Sequence, residues 1–549
     1  MTASPEHTIK THTAHGTSHV GLLTVIFLFL CAILPLMTVA PAWDSASFYI
    51  CITNATGTHF HLHNFRCANH ASVLYFLLLG ITQYIDYGNV RLVYFINILI
   101  AIGGAVGMYG ILQRRNDQLR ETERGLLAAL FLAAPVFFAH VIHINLDMAM
   151  TCFFVIFLSF LLHRRWWLAG FFAGMMVFTK ETGMALYAAT IVLFSIIVLP
   201  PFLRSQKWHR TLGQITPLLI PGLGIALYFL WLRLEGWSVL WNATEKPMMI
   251  NPFLIPINDR IFRLYLGNIF IVNFQWIITT VIAIALIIGT IRWRRNRSSV
   301  MGKPATASAN RERLFLIFVA IATVYITTLV RPWSMARYVL AAYPVLLIVF
   351  SFALTSLWRN WIVRSLILSV ILIAFVMSNL RTIDPVSKAF YGTFPFGTHA
   401  ILQIDARPVA ESFKRDEMIY NLEYIEIEHL YSDAMAALRP SPTTPVVMGE
   451  SGAFYFPPLI DAVTYRPTTV WNRSMKRRIV GGSWELRSLL QSKEQPPLIH
   501  LIAFPNLDNS KVLTLLKDRY RETDQRVFAH DGYSITTSTF MLSDKKNSN

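Results

Sequence analysis

VGLLTVIFLFLCAILPLMTVAPAWDS, residues 20–45, decides the fold class. Residues 20–40 are apolar and numerous enough to cross the roughly 30 Å hydrocarbon core of a bilayer as a helix. The stretch runs straight into a carboxylate, Asp44. A charge at the mouth of a span is costly to place near lipid, and such residues usually carry function.

The rest of the chain has the same character. Of 549 residues, 54% are hydrophobic and only 14% are charged, against about 25% charged in ordinary soluble domains. This composition excludes a soluble protein and implies an integral membrane protein. Residues 1–18 hold one Lys, several His and Thr, and no apolar core. They read as a polar cytoplasmic tail and not as a cleaved signal peptide, so the first span stays as an anchor.

Apolar segments further along give about eleven expected spans: 19–40, 89–112, 125–141, 145–162, 166–180, 183–199, 211–234, 268–291, 313–331, 335–357 and 361–380. The apolar stretch 71–85 is shorter and reads as a helix lying on or dipping into the outer surface.

Charge placement sets the sidedness. Residues 381–549 contain 20 Lys+Arg and 19 Asp+Glu, whereas the first 380 contain 28 and 12. The basic excess belongs to membrane loops: Arg114, Arg115, Arg120 and Arg124; Arg164 and Arg165; Arg204, Lys207 and Arg210; the run from Arg292 through Arg297 to Arg313; Arg359 and Arg364. With eleven spans all of these face one side, the cytoplasm by the positive-inside rule. Such a pattern points to lipid headgroups and topology, and argues against nucleic acid as a partner. The other side receives the outer loop 41–88, the loop 235–267 and the tail 381–549. Were 71–85 to span, the basic loops would face outward.

The tail reads as a small α/β domain. Strands are expected at 446–448, 498–504 and 533–541, and helices at 510–520 and 419–438. It holds no nucleotide-binding glycine pattern, no HExxH and no GxSxG, so acceptor binding suits it better than catalysis. Of four cysteines, Cys31 and Cys152 lie within spans as small apolar fillers. Cys51 and Cys67 share the outer loop, where they form either a loop-closing disulfide or two free thiols.

Several charged residues join Asp44 on the outer face. Asp147 opens the fourth span, Lys180-Glu181 closes the fifth, and Arg331 and Arg337-Tyr338 flank Trp333 at the ninth-to-tenth turn. Each taken singly is a snorkelling or helix-terminus charge. Together, acids suit deprotonation of a hydroxyl, and cations suit a leaving phosphate.

These motifs resemble the GT-C superfamily of multi-span glycosyltransferases. The likeness is to bacterial relatives of dolichyl-phosphate-mannose protein mannosyltransferases and of the lipid A aminoarabinose transferase. It is carried over residues 20–360 by Trp43-Asp44-Ser45, Asn145-Leu146-Asp147, residues 169–174 leading to Thr179-Lys180-Glu181, and Arg337-Tyr338 with Pro344. Ser45 stands where many members have a second acid.

The resemblance implies a GT-C membrane module over 19–380 with an extracytoplasmic α/β domain over 381–549, in the plasma membrane. It implies inverting transfer of a sugar from a polyprenyl-phosphate donor to a hydroxyl of a lipid, glycan or protein acceptor. Asp44 would be the general base and Asp147 would position acceptor or sugar. Lys180 with Arg331 or Arg337 would neutralise the phosphate, and Glu181, Tyr338 and Trp333 would line the site. No cofactor is demanded by the sequence. Some members use a divalent metal, and His59, His61 and His63, alternating on one side of an extended chain, are its candidate ligands; their plain alternative is a set of interfacial loop histidines. Trp237, Trp241, Phe253 and Trp333 form either an interfacial aromatic belt or a sugar-lining wall. Two other functions compete: a transporter or flippase of lipid-linked sugars, which should show midplane charges and inverted repeats, and a surface-polysaccharide polymerase or ligase.

Overall fold

The computed structural model describes residues 19–38, 41, 44–56, 72–115, 118–200, 208–235, 260–295, 307–329, 336–379, 386, 430–431, 433–440, 444–449, 479–492, 495–503, 509–530 and 533–543. The membrane part is helical. Its helices are α1 (Val20–Ile33), α2 (Asp44–Thr56), α3 (Val73–Ile85), α4 (Val90–Arg115), α5 (Glu121–Ala133), α6 (Pro135–Val141), α7 (Leu146–Leu162), α8 (Trp166–Val177), α9 (Glu181–Ile197), α10 (Trp208–Leu234), α11 (Arg260–Phe270), α12 (Gln275–Arg295), α13 (Ala307–Leu329), α14 (Ala342–Leu357) and α15 (Trp361–Asn379). Short 3-10 turns cover Leu34–Thr38 and Ala336–Val339.

Helix is present in all eleven expected spans. By length and apolarity alone, five of the described helices qualify to cross a membrane: Val20–Met37, Val90–Arg114, Ile215–Leu234, Gln275–Arg292 and Trp361–Asn379. A bent pair, Glu121–Ala133 with Pro135–Val141, makes a sixth. The expected span 125–141 is therefore not straight. Pro135 lacks an N–H and holds Ala134 in an extended conformation (φ −55°, ψ 123°), and the chain turns by 67°. Helix α3, at 13 residues, is about 20 Å long and packs beside α2 and α4.

Helix α7 is the centre of the bundle. Every residue of Leu146–Leu162 is buried except Phe160, as expected for a helix apolar on all faces. Its tightest neighbour is α4, whose Gly104, Gly107 and Gly110 lie close against it. A Cβ there would sit 3.0 Å from Cys152 Sγ, 3.1 Å from Ile156 Cα and 3.0 Å from Ser159 Oγ, respectively. Small residues in a stripe let membrane helices approach closely, where packing is the main attractive force.

The basic end of the bundle is held by one buried ion pair. Arg364 of α15 donates through Nε and Nη2 to Glu123 of α5 at 2.6 and 3.1 Å. Arg364 also donates to the carbonyls of Gln118 and Trp358. Glu123 sits in the first turn of α5 and accepts the Arg120 amide at 2.7 Å, satisfying a donor the helix leaves open. The Arg120 guanidinium in turn lies 4.2 Å over the Trp361 ring.

The tail contains a five-stranded sheet in the order β2-β1-β3-β5-β4, made of β1 (Val446–Met448), β2 (Ile479–Gly481), β3 (Leu498–Ala503), β4 (Tyr520–His530) and β5 (Tyr533–Leu542). Pairs β1–β2 and β1–β3 are parallel, and pairs β3–β5 and β4–β5 are antiparallel. Helices α16 (Gly482–Leu490) and α17 (Ser510–Lys517) cover one core with Val447, Ile499, Leu501 and Phe540. The α/β expectation holds here, with two strands unforeseen, β2 and β4. Residues 520–530 read as polar, yet they form the longest strand, at the sheet edge. The expected helix 510–520 accordingly ends at Lys517. Of the expected helix 419–438, residues 433–438 are helical and most of the rest lies outside the described residues.

Candidate active site

Asp147 lies in the first turn of the central helix, and the local sequence explains its placement. Asn145 is the N-cap: its Oδ1 accepts the amides of Asp147 at 2.8 Å and Met148 at 3.1 Å. The carboxylate of Asp147 therefore sits at the positive end of the α7 dipole. Asp147 is 3% exposed, so its charge requires a partner.

Lys180 supplies it. Its Nζ donates to both carboxylate oxygens of Asp147 at 2.6 Å, and Lys180 is itself 6% exposed. Lys180 ends the tight turn between α8 and α9, where the Gly183 amide returns to the Lys180 carbonyl at 2.9 Å. A Cβ on Gly183 would stand 2.5 Å from the Met176 carbonyl oxygen. Only glycine permits α9 to start this close to the end of α8, and that closeness aims Lys180 at α7.

Arg337 completes the cluster from the 3-10 turn Ala336–Val339, with Nε 3.9 Å from Asp147 Oδ2. The Tyr338 ring lies under both cations, 4.3 Å from Lys180 Nζ and 5.5 Å from the Arg337 guanidinium carbon, within cation–π range. Three separate stretches of chain thus bring one acid, two cations and one aromatic ring together.

A second layer of polar contacts supports the turn before α7. Asn145 Nδ2 donates to His140 Nδ1 at 3.0 Å. Asn97 of α4 donates to the His143 carbonyl at 2.7 Å, and Tyr75 of α3 donates to Asn97 Oδ1 at 2.9 Å. The Ile144 amide donates to Ser45 Oγ at 2.8 Å. Sequence reading singled out neither His140 nor Asn97 nor Tyr75; a lone polar residue in an apolar helix gives no signal of its partner. Asn145 did carry one, as a strong N-cap type two residues before an acid.

Asp44 is the first residue of α2, and its side chain lies outside the described residues. Glu181 opens α9 and is half-buried. Arg331, Trp333, His59, His61 and His63 lie outside the described residues, as do Trp237, Trp241 and Phe253. Among the described residues, no group of three or more His, Cys, Asp or Glu side chains is placed to hold a metal ion. Cys51 is disulfide-bonded, while Cys31 and Cys152 are free. Cys67 lies outside the described residues.

No protein-family model matches the chain, and no curated protein does. Solved structures do. ArnT from Cupriavidus metallidurans bound to undecaprenyl phosphate superposes with a TM-score of 0.53 at 14% identity, covering 94% of this chain and 97% of that one. The same protein in the apo state gives 0.52 at 13% identity, over 94% and 98%. The archaeal oligosaccharyltransferase AglB from Archaeoglobus fulgidus, in complex with an inhibitory peptide and a dolichol-phosphate, gives 0.42 at 11% identity, over 96% and 74%. The likeness to ArnT is one of fold, over nearly the whole chain.

Proposed function

We propose that this protein is a membrane glycosyltransferase that moves a sugar from a polyprenyl-phosphate donor to an acceptor hydroxyl at the outer face of the plasma membrane. The observation that carries the proposal is the cluster of buried Lys180 and half-buried Arg337 and Tyr338 on buried Asp147, set within a fold shared with an enzyme bound to undecaprenyl phosphate.

Lys180 and Arg337 hold the donor phosphate. Arg offers planar paired donors and Lys a compact charge, both suited to phosphate oxygens. Asp147 uses both its oxygens on Lys180, so its part is to hold that ammonium in place before the donor arrives. Fixed cations at the site where charge develops need no reorganisation during reaction. Arg331, Trp333 and Glu181 complete the lining of the donor site.

Asp44 is the general base. It takes the acceptor hydroxyl proton as the oxygen bonds to the anomeric carbon. The bond from that carbon to the phosphate oxygen breaks, and the electron pair leaves on the polyprenyl phosphate, beside Lys180 and Arg337. A single displacement inverts the anomeric centre. The leaving group arrives with the lipid, so no nucleotide enters the step. Where a divalent cation takes part, His59, His61 and His63 are its ligands. The N-terminus is cytoplasmic, and the α/β tail is extracytoplasmic, where it binds the acceptor.

The test is transfer by the purified protein in lipid nanodiscs, with a panel of undecaprenyl-phosphate-linked hexoses and pentoses. At least one donor should release undecaprenyl phosphate, and Asp44→Asn should abolish release. Full activity in folded Asp44→Asn removes Asp44 as the base, and silence of the wild type with every donor overturns the transfer reading.

A further inference from the structure

The Ser45–Ile144 contact has no place among the roles assigned above. Ser45 is 4% exposed and follows Asp44 in the first turn of α2. Its hydroxyl accepts the Ile144 amide at 2.8 Å across 99 residues of sequence. That amide belongs to neither flanking helix: α6 ends at Val141 and α7 begins at Leu146. Ile144 is 1% exposed, so without Ser45 its N–H would be buried and unsatisfied, which native structures avoid.

We infer that Ser45 is a positioning residue, which fixes Asp44 against the N-terminus of α7 by tying the start of α2 to the turn that carries Asp147. The inference rests on the proposed role of Asp44 as base. The turn at residues 142–145 is gripped from three directions: by Ser45 of α2, by Asn97 of α4 on the His143 carbonyl, and by His140 of α6 on Asn145. Asp44 lies one residue before this tie, and Asp147 lies three residues after it. Base and phosphate clamp thereby share one frame, although 102 positions separate them in sequence.

The tie also gives a use to the residue that departs from the family pattern. A second acid at position 45 would compete for the acceptor proton or repel the first carboxylate. A serine there accepts a backbone amide instead, and it leaves Asp44 to act without an adjacent carboxylate. Reaction geometry is steep in distance, and a shift of about 1 Å costs on the order of 100-fold in rate. A lost tie therefore acts mainly on turnover, because Asp147 keeps its Asn145 cap and its pair with Lys180, whereas the start of α2 loses its bond to the turn.

The experiment compares wild type with Ser45→Ala and Ser45→Thr in nanodiscs. Turnover is measured with the donor found in the panel, undecaprenyl phosphate affinity by titration, and amide exchange over residues 141–146 by mass spectrometry. For Ser45→Ala, turnover at saturating donor should fall roughly 10- to 100-fold. Its undecaprenyl phosphate Kd should stay within about twofold, and the 141–146 segment should exchange faster. Ser45→Thr, which keeps the hydroxyl, should recover turnover. Wild-type turnover in Ser45→Ala, or a loss of lipid-phosphate affinity as large as the loss of rate, overturns the inference. Should Ser45→Ala fail to fold, Ser45→Cys, with its weaker acceptor, serves in its place under the same criteria. If no donor turns over, the transfer reading falls, and unchanged exchange at 141–146 then overturns the tie independently.

Discussion

Lys180 Nζ donates to both carboxylate oxygens of Asp147 at 2.6 Å, and both residues are buried. A buried pair of this kind is nearly neutral for stability when whole and costly when halved. Removing one partner leaves an uncompensated charge worth about 3–5 kcal/mol. Lys180→Met and Asp147→Asn should therefore each lower thermal stability in detergent, and each should abolish transfer. The double variant Lys180→Met with Asp147→Leu should regain stability without regaining activity, as read by melting curves beside turnover.

The two glycines flanking Lys180 in sequence should respond in opposite directions. Gly183→Ala drives a Cβ to within 2.5 Å of the Met176 carbonyl oxygen. Overpacking against backbone of this sort costs about 1–3 kcal/mol, and the displaced turn carries Lys180, so transfer should fall as well. Gly174 has open space around its Cα. Gly174→Ala should be neutral or stabilising by about 0.5–1 kcal/mol, the helix-interior difference between the two residues. Paired melting and activity measurements check both.

At the opposite end of the bundle, Arg364→Lys should destabilise without touching chemistry. The guanidinium serves Glu123 through two nitrogens and reaches two carbonyls besides. A lysine ammonium cannot reproduce that planar fork. The expected result is a lower melting temperature with unchanged turnover per folded molecule and unchanged affinity for undecaprenyl phosphate.

The tail should be acid-sensitive through His500. Burial on β3, with Thr539 Oγ1 at 3.1 Å, holds its imidazole below the usual histidine range. The unfolded chain then binds the proton more readily, with an ordinary pKa near 6.5. Stability from this residue is complete above about pH 6.5 and is lost as pH falls through that value toward the lower folded one. Amide exchange over β3 and β5 in the full-length protein should rise between pH 7.5 and 5.5. His500→Gln should flatten that rise.

Much of this arrangement was legible in the sequence because apolar length and charge sidedness are one-dimensional signals. Residues 20–40 and 361–380 announce spans without any knowledge of neighbours. Asp147, Lys180 and Arg337 stood out as charges at one depth, and three helix starts do bring them together. What stayed hidden depends on contacts between distant segments. His140 and Asn97 are single polar residues in apolar helices, and only the fold shows which turn they grip. The strand at 520–530 alternates no hydrophobic face, carrying Arg521, Glu522, Asp524 and Arg526. It forms because β5 offers a partner, and an edge strand is free to keep charges on its open side. The bend at Pro135 interrupts what read as one span, 125–141, and its angle depends on packing.

The Glu123–Arg364 bond joins positions 241 residues apart. Synthesis delivers α5 to the membrane long before α15 exists. Until the last span arrives, Glu123 lacks the guanidinium that offsets its charge. The bundle therefore acquires this closing contact only at the end of synthesis, and a chain cut short before Trp361 leaves Glu123 without its guanidinium.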